Sequence, residues 1–225
     1  MIGERAAATK RVPLAQLFSR RWLAGTLLLW AAFTINLAVF YALQSWLPSL
    51  LGGVGYAPSA VVAATTLTTV GGIVAAVAIG PAMDRVGAAQ TLSVLYLVGF
   101  LCVGFLGFAL KMPLWVVLVV NFFAGCCVSG GQKSVSAYAS MFYPTEMCST
   151  GIGCGLGVGR SGGIFGPILV GIAVSAGWSN QSLFMVVAAP LLIGAVLVLA
   201  LPRSAHGASG SPRPLAKADV DVDRS

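Results

Sequence analysis

The sequence predicts an all-α integral membrane protein of six transmembrane helices, and three observations carry that expectation. Of 225 residues, 58% are hydrophobic and only 8% charged, whereas soluble domains hold about a quarter charged residues. Charge-free runs extend from Trp22 to Met83, Val86 to Leu110 and Met112 to Gln132, and a run from Met147 to Pro202 is broken by Arg160 alone; each reaches or exceeds the roughly 20 residues a helix needs to cross a bilayer. The runs are bounded or interrupted by short stretches rich in glycine, proline and serine, which form turns.

The elements follow in order. Residues 1–21 carry Arg5, Lys10, Arg11, Arg20 and Arg21 and form a basic N-terminal segment. The apolar stretch behind them is too long for the core of a signal peptide and no A-x-A cleavage site follows, so a retained first helix is expected over 26–49. "LLGGVGYAPS" (50–59) supplies its turn, and a second helix runs over 59–80. The third is expected over 89–110 and the fourth over 113–142, separated by "KMP" (111–113). "FYPTEMCS" (142–149) and "SAGWSNQS" (175–182) bracket a fifth helix over 150–175, and a sixth spans 182–201. Residues 22–201 thus form one transmembrane bundle. From 202 to 225 the chain turns to Ser, Gly and Pro with Asp219, Asp221 and Asp223, a composition that cannot bury a core, and is expected to be a disordered cytoplasmic tail.

Charge sets the orientation. Nine basic residues flank the helical region, and Lys111 alone lies in a loop on the opposite side. The positive-inside rule places both termini in the cytoplasm, as six crossings permit, in an inner (plasma) membrane. The net charge of +7 then reports orientation and contact with anionic lipid; nucleic-acid binding is not expected. Cys102, Cys126, Cys127, Cys148 and Cys154 contain no C-x-x-C pair and read as small packing residues. The one histidine, His206, falls in the tail. No metal, no cofactor and no enzymatic activity are expected, since neither a metal cluster nor a nucleophile with its base is visible.

Only one charge lies between Glu146 and Arg203, inside "TGIGCGLGVGRSGGIFGP" (150–167). Gly157, Gly159 and Gly162 spell GxGxxG, but a dinucleotide site requires a preceding strand and an acidic residue about 20 positions on. The next acid is Asp219. "GGQKS" (130–134) likewise lacks the glycine directly before lysine that a phosphate-binding loop has. In a membrane helix, Gly151, Gly155, Gly159 and Gly163 form instead a bare stripe for close helix packing. Arg160 is not explained by packing, because a cation at mid-bilayer costs roughly 2.5–3.5 kcal/mol on lenient scales. Lys133, on the fourth helix, is expected at a similar depth near the midplane. The nearby acids, Asp84 and Glu146, are expected at cytoplasmic helix ends, too far to neutralise either cation. Two readings stand: at least one cation lines a polar cavity that receives an anionic ligand, or both are paired structurally. Gln132, Ser134, Ser136 and Tyr138 beside Lys133, with Asn36 and Gln44 on the first helix, offer hydrogen bonds to such a cavity.

"GPAMDRVG" (80–87) fits G-x-x-x-D-R-x-G, which resembles the signature loop between the second and third helices of each half of major facilitator superfamily transporters. "YALQSWLPSLL" (41–51), "GGQKSVSAYASMFYPTEMCSTGIG" (130–153) and "GVGRSGGIFGP" (157–167) resemble the C-terminal half of the aromatic acid:proton symporter family within it. The resemblance covers residues 15–201 and implies one major-facilitator bundle built of two inverted three-helix repeats. "GGI" at Gly71 and at Gly162 is a faint internal echo of such a repeat. The resemblance further implies proton-coupled uptake of aromatic carboxylates of benzoate or hydroxybenzoate type, with Arg160 on the family's arginine of the glycine-rich helix; together with the cavity reading of the residues, Arg160, Lys133, Gln132, Asn36, Gln44 and Tyr138 are expected to bind substrate. Gly80, Asp84, Arg85 and Gly87 would form a gating loop that latches two bundles at the cytoplasmic side. Three departures stand out: Cys148 where the family often has arginine, Ala88 and Ala89 where the loop usually continues with basic residues, and no N-terminal six-helix half in the sequence. The chain therefore reads as half a transporter that expects such a half as partner, with a non-transporting membrane protein or interaction partner as the alternative.

Overall fold

The computed structural model describes residues 17–20 and 22–205, with side chains through Leu199. Most of the basic N-terminal segment and the tail, including His206, lie outside the described residues. Six helices follow one another: α1 Leu23–Val54, α2 Pro58–Val86, α3 Ala88–Ala109, α4 Leu114–Phe142, α5 Thr145–Ser175 and α6 Asn180–Ala205. The described chain contains no strand. At ~1.5 Å per residue even the shortest outspans a hydrocarbon core of about 30 Å.

The order and number of helices are as the sequence predicts, while several ends differ for a common reason. Expected to stop at residue 49, α1 instead runs through Pro48, Gly52 and Gly53 to Val54. There Gly55, at φ 96°, donates to the Gly52 carbonyl while Tyr56 N–H bonds the Leu51 carbonyl, a Schellman closure. Similarly α2 continues through Gly80–Pro81, so the segment expected to be a loop is helical up to Val86 and only Gly87, at φ 101°, stands outside a helix. A glycine inside a helix costs about 1 kcal/mol, whereas unwinding near lipid strands several backbone polar groups; continuation wins. The start of α5 is Thr145 rather than 150, because Pro144 at φ −58° presets the helical entry and Glu146 in the first turn complements the helix dipole. Tyr143, directly before that proline, is held extended, as the ring of the following proline demands.

Packing pairs the helices out of chain order. The most extensive contacts are α1 on α5, α2 on α4 and α3 on α6, followed by α3 on α4 and α1 on α6. Exchanging the first three helices for the last three converts α1–α5 into α4–α2 and α3–α4 into α6–α1, and returns α3–α6 to itself. Because successive spans run in opposite directions, this is the contact pattern of two inverted three-helix repeats. At the centre the fully buried Tyr96 of α3 packs its ring over Gly131 of α4 and Gly194 of α6. Outward, α3 exposes Val94, Leu97 and Leu101, and α6 exposes Ile193 and Val196, surfaces suited to hydrocarbon. Exposed polar side chains concentrate instead on α1, α2, α4 and α5, where Gln44, Thr69, Lys133 and Arg160 lie.

Candidate functional site

Two glycine-lined seams position the site. In the α2–α4 seam, Gly125 of α4 lies against the Thr68 backbone, and Gly71 of α2 lies against the Phe122 carbonyl and Cys126. Such contacts leave no room for a side chain and bring the two backbones together. Asn121 secures the seam, its amide nitrogen donating to both the Ala64 carbonyl and Thr68 Oγ1 at 2.6 Å. Beside this seam opens a cleft of about 210 Å³ between α1, α2 and α4, lined by Phe40, Gln44, Thr69, Ser129, Gln132 and Lys133 among others. The Lys133 ammonium donates a long bond of 3.5 Å to the Gly72 carbonyl and retains two further N–H donors. Gln44, Gln132 and Ser129 make no side-chain hydrogen bond among the described residues.

The α1–α5 seam holds Arg160. Gly155 and Gly159 lie on Phe33, while Gly162 and Gly166 meet the carbonyls of Thr34 and Ala38. Trp46 Nε1 donates to the Pro167 carbonyl at 2.9 Å, fixing the register. Arg160 projects from the remaining face of α5, is exposed, and lies fifteen residues from either end of the helix. Gly153 and Gly157, two turns and one turn before it, have open space where a side chain would be, and Gly163 lies beneath the Tyr41 ring. Neither Arg160 nor Lys133 has an acidic partner among the described residues; Asp84 and Glu146 are exposed at the last turn of α2 and the first turn of α5.

The predicted site residues divide. Lys133, Gln132 and Gln44 share the cleft. Asn36 does not line it: almost fully buried, it donates from Nδ2 to the Val128 carbonyl at 3.3 Å and joins α1 to α4. Tyr138 is packed with Ala75, Ile79 and Met83 of α2, away from the cleft. Ser134 and Ser136 bond carbonyls of their own helix, those of Gly130 and Gln132. Arg160 stands apart from the cleft on the neighbouring seam, and its depth differs from that of Lys133. Lys133 is nine residues from the end of α4, Arg160 fifteen from the start of α5, and the two ends are joined by Tyr143 and Pro144. At ~1.5 Å per residue Arg160 is therefore roughly 9 Å deeper, where the sequence suggested similar depths; the early start of α5 is the cause. Missed by the sequence reading were Phe40, Thr69 and Ser129 in the cleft. The "TTLTT" run at 65–69, polar in the middle of an apolar span, was the available signal.

At the other end of α2, Asp84 and Arg85 are exposed and Gly80 faces open space. Gly87 N–H returns to the Met83 carbonyl, and the Thr91 hydroxyl donates to the Ala82 carbonyl at 3.3 Å, so this segment is a clasped helix end rather than a loose loop. A second groove, of about 250 Å³ between α1, α5 and α6, is walled almost wholly by carbon and offers an anion nothing. All five cysteines are free thiols.

Comparison with known proteins adds the family. Residues 29–221 match the Major Facilitator Superfamily. The gallate transporter of Pseudomonas putida is 37% identical over 190 residues, which are 84% of this chain and 42% of that protein. The 4-hydroxybenzoate transporter of Pseudomonas aeruginosa is 31% identical over 210 residues, 93% of this chain and 46% of that protein. The benzoate transport protein of Acinetobacter baylyi is 31% identical over 188 residues, 84% and 40% respectively. The chain spans about half the length of the curated relatives it matches. These relatives are transporters of aromatic acids, and none is named as an enzyme. Six long apolar helices in two inverted triplets, a match over most of the sequence, and relatives of one transport class together establish that this chain belongs to the Major Facilitator Superfamily.

Proposed function

We propose that this chain forms one six-helix bundle of a secondary active transporter that takes up aromatic carboxylates of benzoate or hydroxybenzoate type by proton symport. The observation that carries the reading is a pair of cations, Arg160 and Lys133, exposed deep along long apolar helices with no acid among the described residues to neutralise them. A cation so placed needs a wet cavity or an anion, and an organic carboxylate supplies the charge while its ring suits apolar walls. The names of the relatives support the same class. A second six-helix bundle, contributing the proton-coupling carboxylates, would cover the exposed polar side of α1, α2, α4 and α5. Uptake of labelled benzoate-type acids by vesicles holding this chain with such a bundle tests the proposal. It predicts accumulation driven by an inward proton gradient and no accumulation of the uncharged amide; equal handling of acid and amide would refute it.

The proposed setting is the inner membrane, with both chain ends cytoplasmic. Reporter fusions at Gly55 and after Pro202 are then expected to report opposite sides. The same side for both would overturn the topology.

Asp84 is proposed to act in interconversion rather than in substrate contact, since it is exposed at the end of α2, remote from the cleft. Asp84→Asn should slow turnover at least severalfold while leaving equilibrium binding of the acid within about twofold. Lost binding with normal interconversion would contradict that role.

A further inference from the structure

Three of the five cysteines lie along α3 and α4, and two of them meet. Cys102 of α3 and Cys127 of α4 hold their thiols side by side across the α3–α4 interface. Gly99 produces the meeting. Having no side chain, it lets α4 approach until an added Cβ would stand 3.1 Å from Cys127 Cβ, and Cys102 follows one turn later on the same face of α3. Cα–Cβ bonds tilt toward the N-terminus of their own helix. Consecutive spans are antiparallel, so Cys102 leans back toward the level of Gly99 while Cys127 leans the opposite way, and the two sulfurs converge. Cys126 points elsewhere, its Sγ lying against Gly71 of α2. Cys148 and Cys154 belong to α5.

Packing accounts for a single buried thiol, since free cysteine behaves as a small hydrophobe. A facing pair adds chemistry that neither thiol has alone, because one centre with two exchangeable positions can bond both sulfurs without moving the backbone. The membrane sets the access. Cys127 is only 5% exposed, whereas Cys102 is half-buried and has Val98 and Phe105, both exposed on the outward side of α3, one turn away in either direction. A ligand that reaches the pair must therefore be neutral and lipid-soluble, soft enough to prefer sulfur, and able to take two thiols at once. We propose that Cys102 and Cys127 form a two-thiol site for trivalent organoarsenicals, reached from the hydrocarbon. When an arsenoxide, R–As=O, is captured, two As–S bonds form while both S–H bonds and the arsenic–oxygen bond break. The two protons leave with the oxygen as water and arsenic stays trivalent, so no oxidant is consumed. The product staples α3 to α4, the helices at which one three-helix repeat passes into the other. None of this depends on the transport reading, because neither thiol lines the cleft.

The test treats the full chain, with its thiols reduced and the reductant removed, with an equimolar amount of phenylarsine oxide. Intact-mass measurement should show one phenylarsenic group per chain, and proteolysis should leave the α3 and α4 peptides joined through arsenic at Cys102 and Cys127. A small dithiol should strip the group, whereas a monothiol wash should leave it in place. Cys102→Ala and Cys127→Ala should each lose the group in the monothiol wash; Cys126→Ala, and Cys148→Ala combined with Cys154→Ala, should keep it as wild type does. Retention in both Cys102→Ala and Cys127→Ala would overturn the site, as would arsenic found on α5 peptides or on Cys126. If a variant fails to accumulate, the peptide map of the wild-type chain decides alone. In sealed vesicles a membrane-impermeant maleimide should leave both thiols unlabelled, and labelling would overturn access from the hydrocarbon.

Discussion

Arg160→Lys should reduce uptake of aromatic acids by at least tenfold while the protein accumulates normally in the membrane. The expectation separates charge from shape. Lysine keeps the positive charge, but a compact ammonium offers a carboxylate a point contact where guanidinium offers a planar pair of bonds. A tenfold loss corresponds to about 1.4 kcal/mol, in the range of one charge-assisted bond. Accumulation should be unaffected because Arg160 has no partner among the described residues and occupies the exposed face of α5. Measuring uptake per unit of membrane-inserted protein, for wild type and Arg160→Lys, decides the matter. Equal uptake would make Arg160 a structural cation. Arg160→Gln provides the further comparison, and should be at least as impaired as Arg160→Lys if the carboxylate is met here.

Gly162→Leu and Gly166→Leu should prevent the bundle from accumulating, whereas Gly157→Ala should accumulate like wild type. A side chain at Gly162 or Gly166 collides with the backbone carbonyl of Thr34 or Ala38, and backbone cannot swing aside as the end of a side chain can. Overpacking in a well-packed core typically costs about 1–3 kcal/mol; here the α1–α5 interface, the most extensive in the bundle, would have to part. At Gly157 there is nothing within reach of an added methyl. Detergent-solubilised yield and thermal stability of the three variants check this. Stable protein from Gly166→Leu would show that the seam is looser than these contacts imply.

The glycine seam shows where sequence reading reached its limit. Gly151, Gly155, Gly159 and Gly163 recur every four residues, and were expected to share one packing face. A helix of 3.6 residues per turn advances such a series by roughly 40° at each step, so the stripe winds around α5. Gly151 consequently meets the ring of Tyr143 just before its own helix, Gly155 and Gly159 meet α1, and Gly163 lies at the margin under Tyr41. The closest approaches belong to Gly162 and Gly166, which fall on the line of contact with α1. Asn36 teaches the same lesson from the polar side. With Gln44 it was expected to offer hydrogen bonds to the cavity, but Asn36 is buried and its amide nitrogen is spent on the Val128 carbonyl across to α4, as a buried donor seeks a partner.

What the sequence by itself determined was the number of spans, their order, and the exceptional status of two cations. These follow from the bilayer, which demands about 20 apolar residues per crossing and makes an intramembrane charge expensive wherever it stands. Which helices pair was decided only by tertiary structure. Apart from α3 on α4, neighbours in the chain contact one another little, while α1–α5, α2–α4 and α3–α6 bury the large interfaces. The helix ends near Val54, Val86 and Thr145 were settled in the same way, by the cost of unwinding backbone where no water can satisfy it. So was the division of the predicted site. Lys133, Gln132 and Gln44 meet because glycines at the α2–α4 seam let those backbones close beside α1, and Arg160 faces outward because α5 turns its glycines, and not its arginine, toward α1.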